Sequence, residues 1–103
     1  MFDFIKSLFE PGVNYKSLIQ DSGAVVLDVR TPDEFKNGHV KGSVNAPLSS
    51  LTRSSKLPKK KNVPVITCCA SGRRSGIAKS HLQALGYTQV YNAGAWRSLK
   101  GKL

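Results

Sequence analysis

Two short apolar runs, residues 24–29 (AVVLDV) and 63–68 (VPVITC), constrain the fold more than any other feature of this chain. Each is dense in β-branched side chains and bounded by turn residues, as strands buried on both faces require. Each is followed by a helix signal. After the first run, Thr31 offers an N-cap, Pro32 takes the first helical position, and Glu34 completes a capping box before Asn37-Gly38 ends the helix. After the second, residues 70–72 read as a turn and residues 75–85 as a helix. Ile77, Ala78, His81, Leu82 and Leu85 share its apolar face, and Gly86 caps it. A helix at 15–20, brief strands at 44–46 and 89–91, and a Ser- and Lys-rich stretch at 48–62 that reads as a short helix plus exposed loop fill the intervals. Residues 92–94 read as a turn into a last helix carrying Trp96 and Leu99. Strands alternating with helices predict an α/β parallel sheet sandwiched by helices, with the ligand site beyond the carboxyl ends of its strands. Residues 28–31 and 69–75 occupy those ends.

The length of 103 residues allows one domain with a real core. Phe2, Ile5, Leu8 and Phe9 fall at helical spacing before Pro11-Gly12. Residues 1–12 are therefore expected to form a short helical extension docked on a single domain of residues 13–103. Nothing approaches a membrane span or the apolar region of a signal peptide, so a cytoplasmic protein is the expectation. The two cysteines, Cys68 and Cys69, are adjacent, which excludes a disulfide scaffold. With the distant His39 and His81 they do not resemble a four-ligand zinc site, and no metal or other cofactor is expected.

Charge adds direction. There are 16 Lys and Arg against 6 Asp and Glu, a net charge of +10. All six acids lie in the first 34 residues; the 13 bases from Lys36 onward meet no acid in sequence. Such asymmetry points to an anionic partner, whether nucleic acid, an acidic membrane or an anionic substrate. No helix-turn-helix, zinc finger or aromatic stacking signature accompanies it, so nucleic acid is not the expected partner. Lys59-Lys60-Lys61 reads as a solvated loop.

The segment following the second strand run carries the chemistry. A buried strand, a tight turn through Gly72 and a helix starting near Arg74 aim successive backbone N–H groups inward as an anion cradle. Arg73 and Arg74 add formal positive charge. A cysteine at the mouth of such a cradle is lowered in pKa, and its thiolate is the nucleophile. Two frames are open. Cys69 stands in Cys-x4-Arg spacing to Arg74, and Cys68 in the Cys-x5-Arg spacing of cysteine phosphatases. Strand alternation puts the two side chains on opposite faces, so only one enters the cradle.

The stretch Cys69-Ala70-Ser71-Gly72-Arg73-Arg74-Ser75 resembles the rhodanese active-site loop, Cys-x-Ser-Gly-x-Arg-Ser. Residues 27–35 (LDVRTPDEF), 38–48 (GHVKGSVNAPL) and 90–96 (VYNAGAW) resemble three further rhodanese segments in the family order. The resemblance covers residues 13 to 100. It implies a single-domain rhodanese-like sulfurtransferase: a three-layer α/β sandwich with a small, mainly parallel sheet of about five strands and helices on both faces. It places Cys69 in the catalytic position, with Ala70, Ser71, Gly72, Arg73, Arg74 and Ser75 as the substrate-binding loop and Asp28 and Arg30 in support. The implied reaction moves sulfane sulfur from thiosulfate or a persulfide to cyanide, a thiol or a protein sulfur acceptor, through a Cys69 persulfide. In that scheme Arg74 anchors the loop, Arg73 selects anionic donors, both arginines lower the Cys69 pKa, and the Ser71 and Ser75 hydroxyls donate to sulfur.

Two departures from the family form stand out. Ala93-Gly94 replaces paired glycines, which is expected to alter only the turn, and Cys68 stands where an aromatic or aliphatic residue is usual, able to resolve an oxidised Cys69. The alternatives are a phosphatase or arsenate-type reductase using Cys68, and a non-catalytic sulfur-carrier module. Plainer roles are expected elsewhere: Arg30 pairing with Glu34 four residues on, Asp28 and Arg30 anchoring strand ends, His39 bonded to backbone, and His81, Trp96 and Cys68 packed in the core.

Overall fold

The computed structural model describes residues 12–103. The N-terminal helix expected over residues 1–12 lies, but for Gly12, outside the described residues. Four parallel strands form one sheet in the order β2-β1-β3-β4: β1 (Val25–Asp28), β2 (Val44–Asn45), β3 (Val65–Cys69) and β4 (Val90–Ala95). Helices α1 (Tyr15–Ser22), α2 (Pro32–Lys36), α3 (Arg73–Ala84) and α4 (Trp96–Gly101), with a 3-10 helix at Leu48–Arg53, are the other elements among the described residues. The apolar runs become β1 and β3, the central pair, and β3 is buried along its whole length.

Period-2 alternation divides the sheet residues between two cores. Leu27, Val29, Val65, Cys69 and Val90 pack with Ala78 and Leu82 of α3, Leu51 of the 3-10 helix and Tyr87. Val26, Ile66 and Cys68 pack on the other face with Tyr15 of α1 and Trp96 and Leu99 of α4. The result is the expected three-layer sandwich. No helix among the described residues is long and apolar enough to cross a membrane.

Several local expectations hold. Thr31 caps α2, and its hydroxyl and backbone exchange hydrogen bonds with Glu34 in a capping box. His39 bonds the Phe35 carbonyl through Nδ1 at 2.7 Å, and Trp96 is buried. Others are corrected. His81 is exposed, and so are Ile77 and Leu85, because the face of α3 turned to the sheet carries Ser75, Ala78 and Leu82. The small Ser75 and Ala78 let the backbone of α3 approach the strands, which an apolar count does not register. Residues 92–94 are not a turn. They continue β4, with a register shift that leaves Ala93 unpaired while Thr67 faces Asn92 and Cys68 faces Gly94. This β-bulge re-aims the end of the strand beside the cysteines.

Candidate active site

β3 ends at Cys69, residues 70–72 turn, and α3 begins at Arg73. The turn works only with glycine at its last position. Gly72 has φ +102°, and a Cβ there would meet the Gly94 backbone Cα at 3.2 Å. Gly72 is also the N-cap of α3, so it brings no side chain to satisfy the first N–H groups of the helix. The Cys69 sulfur takes that place. Its Sγ accepts from Gly72 N–H at 2.9 Å and from Ser75 N–H at 3.4 Å, and the Ser75 hydroxyl stands 3.4 Å away. The sulfur thus sits on the positive end of the 12-residue α3.

Both cysteines are free and fully buried, yet their acidities diverge. Burial pushes the Cys69 thiol up, but the Ser75 hydroxyl and the N–H groups of Ser75, Gly72 and Ser71 outweigh it and hold the group below its ordinary value. Burial, seconded by the Asp28 carboxylate, pushes Cys68 far above the ordinary thiol range. Cys68 faces the core of Tyr15, Trp96 and Leu99, away from the loop and from Cys69.

The loop residues divide by exposure. Ala70, Ser71 and Arg73 are exposed, Arg74 is half-buried, and Gly72 and Ser75 are buried. Arg74 grips Glu34 with two hydrogen bonds, Nη1 to Oε1 at 2.6 Å and Nη2 to Oε2 at 2.9 Å. These bonds, seconded by the Thr31 N–H, hold the Glu34 carboxyl down to about 2. Glu34 therefore ties the start of α2 to the start of α3 and does not pair with Arg30. The donors that lower Cys69 most are the Ser75 hydroxyl and loop N–H groups, and the Arg74 charge attracts the thiolate as well. A cleft of about 290 Å³ lined by Val29, Thr31, Pro47, Leu48, Ser49 and Arg74 opens beside the loop.

Asp28 and Arg30 are not gathered around Cys69. In register, Asp28 is the neighbour of Cys68, on the opposite face of the sheet. Its carboxylate holds Arg30 Nε at 2.9 Å and Nη2 at 2.7 Å. Arg30 also donates to the Gly38 carbonyl at 2.6 Å and lies 4.7 Å over the Trp96 ring. The pair braces the carboxyl end of β1 against α4, which is the anchoring role expected of it.

Two residues at the site have roles that the motifs did not reveal. Glu34 reads in sequence as a helix cap and a partner for Arg30, not for Arg74. Asn92 is 1 % exposed, and its side chain reaches three backbone or loop groups. Oδ1 accepts from the Ser75 hydroxyl at 2.6 Å and from Gly94 N–H at 2.9 Å; Nδ2 donates to the Gly72 carbonyl at 3.2 Å. A signal for Asn92 exists: a polar residue two positions after Val90, on the same face of the same strand, stands where only a partnered amide is tolerated.

Comparison with known proteins agrees with this geometry. The profile described as Rhodanese-like domain matches residues 13–100. The chain belongs to the rhodanese-like family. It is 39 % identical over 74 residues to the thiosulfate sulfurtransferase PspE of Escherichia coli, covering 71 % of each chain. A solved structure described as rhodanese with anions from E. coli superposes with a TM-score of 0.63 at 35 % identity, covering 73 % of this chain and 89 % of that one. The human single-domain sulfurtransferase TSTD1 gives a TM-score of 0.71 at 25 % identity, covering 86 % and 91 %. This rhodanese-like sheet has four strands among the described residues, close to the five or so that the family pattern implied.

Proposed function

We propose that this rhodanese-like protein is a sulfurtransferase in which Cys69 carries the sulfur. The observation that bears most weight is the set of N–H donors converging on the Cys69 sulfur at the N-terminus of α3. Donors so placed favour an anionic sulfur, either thiolate or terminal persulfide, over a neutral one. PspE, a relative that covers a similar span, is named a thiosulfate sulfurtransferase, which supports the same substrate class.

The Cys69 thiolate attacks the outer sulfur of thiosulfate. The S–S bond breaks, sulfite leaves with its electron pair, and Cys69 becomes a persulfide anion held by the loop. An acceptor thiolate or cyanide then attacks the terminal sulfur and expels the Cys69 thiolate. No general base is needed, because the nucleophile enters ionised. A persulfide donor enters the same scheme with a thiolate as leaving group. The exposed Arg73 faces solvent on the loop and would meet an anionic donor, while Arg74 is engaged by Glu34 and serves to fix the loop.

Incubation with thiosulfate, followed by peptide mass spectrometry, tests this reading in wild type and in Cys68→Ser and Cys69→Ser. Added sulfur is expected on Cys69 and is lost only in Cys69→Ser. Sulfur on Cys68, or phosphate-ester cleavage surviving in Cys69→Ser, would overturn it. The burial of Cys68 in the other core and its raised pKa favour the Cys69 frame over the phosphatase frame.

A further inference from the structure

The Ser75 hydroxyl has one proton and two claimants. Asn92 Oδ1 lies 2.6 Å from Ser75 Oγ, and Cys69 Sγ lies 3.4 Å from it. The orientation of the Asn92 amide is settled by its other partners: the Gly94 N–H requires the oxygen, and the Gly72 carbonyl requires the nitrogen. The oxygen therefore faces Ser75 and competes with the sulfur.

We propose that Asn92 is a positioning residue that tunes the reactivity of Cys69 by competing for the Ser75 proton. With a neutral Cys69, the thiol donates to Ser75 Oγ and the hydroxyl donates onward to Asn92. When the sulfur loses its proton, or carries a persulfide anion, it has no hydrogen to give and draws the hydroxyl to itself. The hydroxyl then turns from Asn92 to sulfur, and the amide oxygen keeps its Gly94 bond. The gain at sulfur is reduced by the bond given up at Asn92. A stronger acceptor at position 92 holds the thiol neutral to higher pH, and a weaker one releases the hydroxyl to the sulfur. Only the Cys69 proton leaves the site, to solvent; the Ser75 proton stays on its oxygen and changes partner. Asn92 thereby joins two tasks: its nitrogen fixes the Gly72 carbonyl, and its oxygen sets how much of the Ser75 hydroxyl the sulfur receives.

The charged groups nearest the sulfur on its own face are Arg73 and Arg74 of α3 and Glu34 of α2, held by Arg74; the Asp28–Arg30 pair at the end of β1 lies across the sheet, beside Cys68. Cys68, the other titratable group beside it, faces the opposite core. None of these is altered in the test below.

This inference rests on the reading of Cys69 as the nucleophile. The test follows the pH midpoint of Cys69 alkylation by iodoacetamide in the full chain, mapped by peptide. Asn92→Ala is compared in the wild-type background and in Ser75→Ala. Loss of the Gly72 anchor acts in both backgrounds, so the difference between the two shifts isolates the competition for the hydroxyl. Asn92→Ala is expected to move the midpoint lower with the Ser75 hydroxyl present than without it, by about half a unit or more, a threefold change in thiolate fraction. Equal shifts in the two backgrounds overturn the proposal. Should Asn92→Ala fail to fold, Asn92→Asp, which keeps the acceptor and adds charge, raises the midpoint by about one unit or more. That rise must shrink in Ser75→Ala, and an undiminished rise overturns the proposal equally. A wild-type Cys69 that titrates as an ordinary thiol would instead refute the reading of the site itself.

Discussion

Cys68 and Cys69 are neighbours in one strand, chemically identical and both 0 % exposed, yet the fold makes them opposites. Cys68 lies in the core among Tyr15, Ile66 and Trp96, where burial and the Asp28 carboxylate outweigh the Arg30 charge. Cys69, on the other face, has the start of a helix turned toward it. Burial alone raises a thiol, and it does so at both positions. What separates the pair is the supply of hydrogen-bond donors, and that supply depends on which layer of the sandwich each side chain enters.

The contrast can be broken most directly by exchanging sulfur for oxygen. Cys69→Ser is expected to lose thiosulfate-dependent sulfur transfer by roughly a thousandfold or more, whereas Cys68→Ser stays within roughly threefold of wild type. A steady-state assay with cyanide as acceptor distinguishes these outcomes. Without mutation, iodoacetamide at neutral pH should modify Cys69 about a hundredfold faster than Cys68, since only Cys69 is held toward the thiolate. Peptide mapping over time reads both rates in one sample.

Removing a donor sharpens the comparison further. Gly72→Ala forces a side chain onto φ +102° and against the Gly94 backbone, at a cost of about 1–3 kcal/mol by thermal unfolding. Because the Gly72 N–H must then shift from sulfur, the Cys69 alkylation midpoint should rise while Cys68 stays as inert as before. The smallest effect belongs to Glu34. Its carboxyl is held at about 2 against an ordinary 4.5, so its contribution to stability is complete above pH 4.5 and is lost as pH falls toward 2. The side chain is 36 % exposed, and solvent screening keeps that contribution below about 1 kcal/mol. Glu34→Gln should flatten the dependence of melting temperature on pH across that window and lower the curve above it by a constant amount, with its slope unchanged.

Much of this architecture was legible because local rules sufficed. The capping box at Thr31 and Glu34, the strand runs and the strand–turn–helix at 65–84 each depend on residues close in sequence. The misreadings share one cause, which is that partners came from elsewhere. The helix face read as apolar, with Ile77, His81 and Leu85, is largely exposed because Ser75 and Ala78 make the close approach to the sheet. Arg30 and Glu34 stand at helical pairing distance, yet each prefers a partner that gives bidentate geometry, Asp28 for one and Arg74 for the other. The bulge at Ala93 required knowing that β4 runs past its apolar start.

The amino-acid order by itself determined that a parallel sheet would form, that Cys68 and Cys69 would point opposite ways, and that a glycine turn would lead from a buried strand into a helix. These follow from the two-residue period of strands and the backbone freedom of Gly72. Only the tertiary structure decided which cysteine met the helix N-terminus. It also gathered Glu34, 40 residues from Arg74, and Asn92, 17 residues from Ser75, around the loop. The acid-free stretch after Glu34 thus acquires a carboxylate in space that it lacks in sequence. A buried polar group must find its partner wherever packing places one, and that place is a property of the assembled layers.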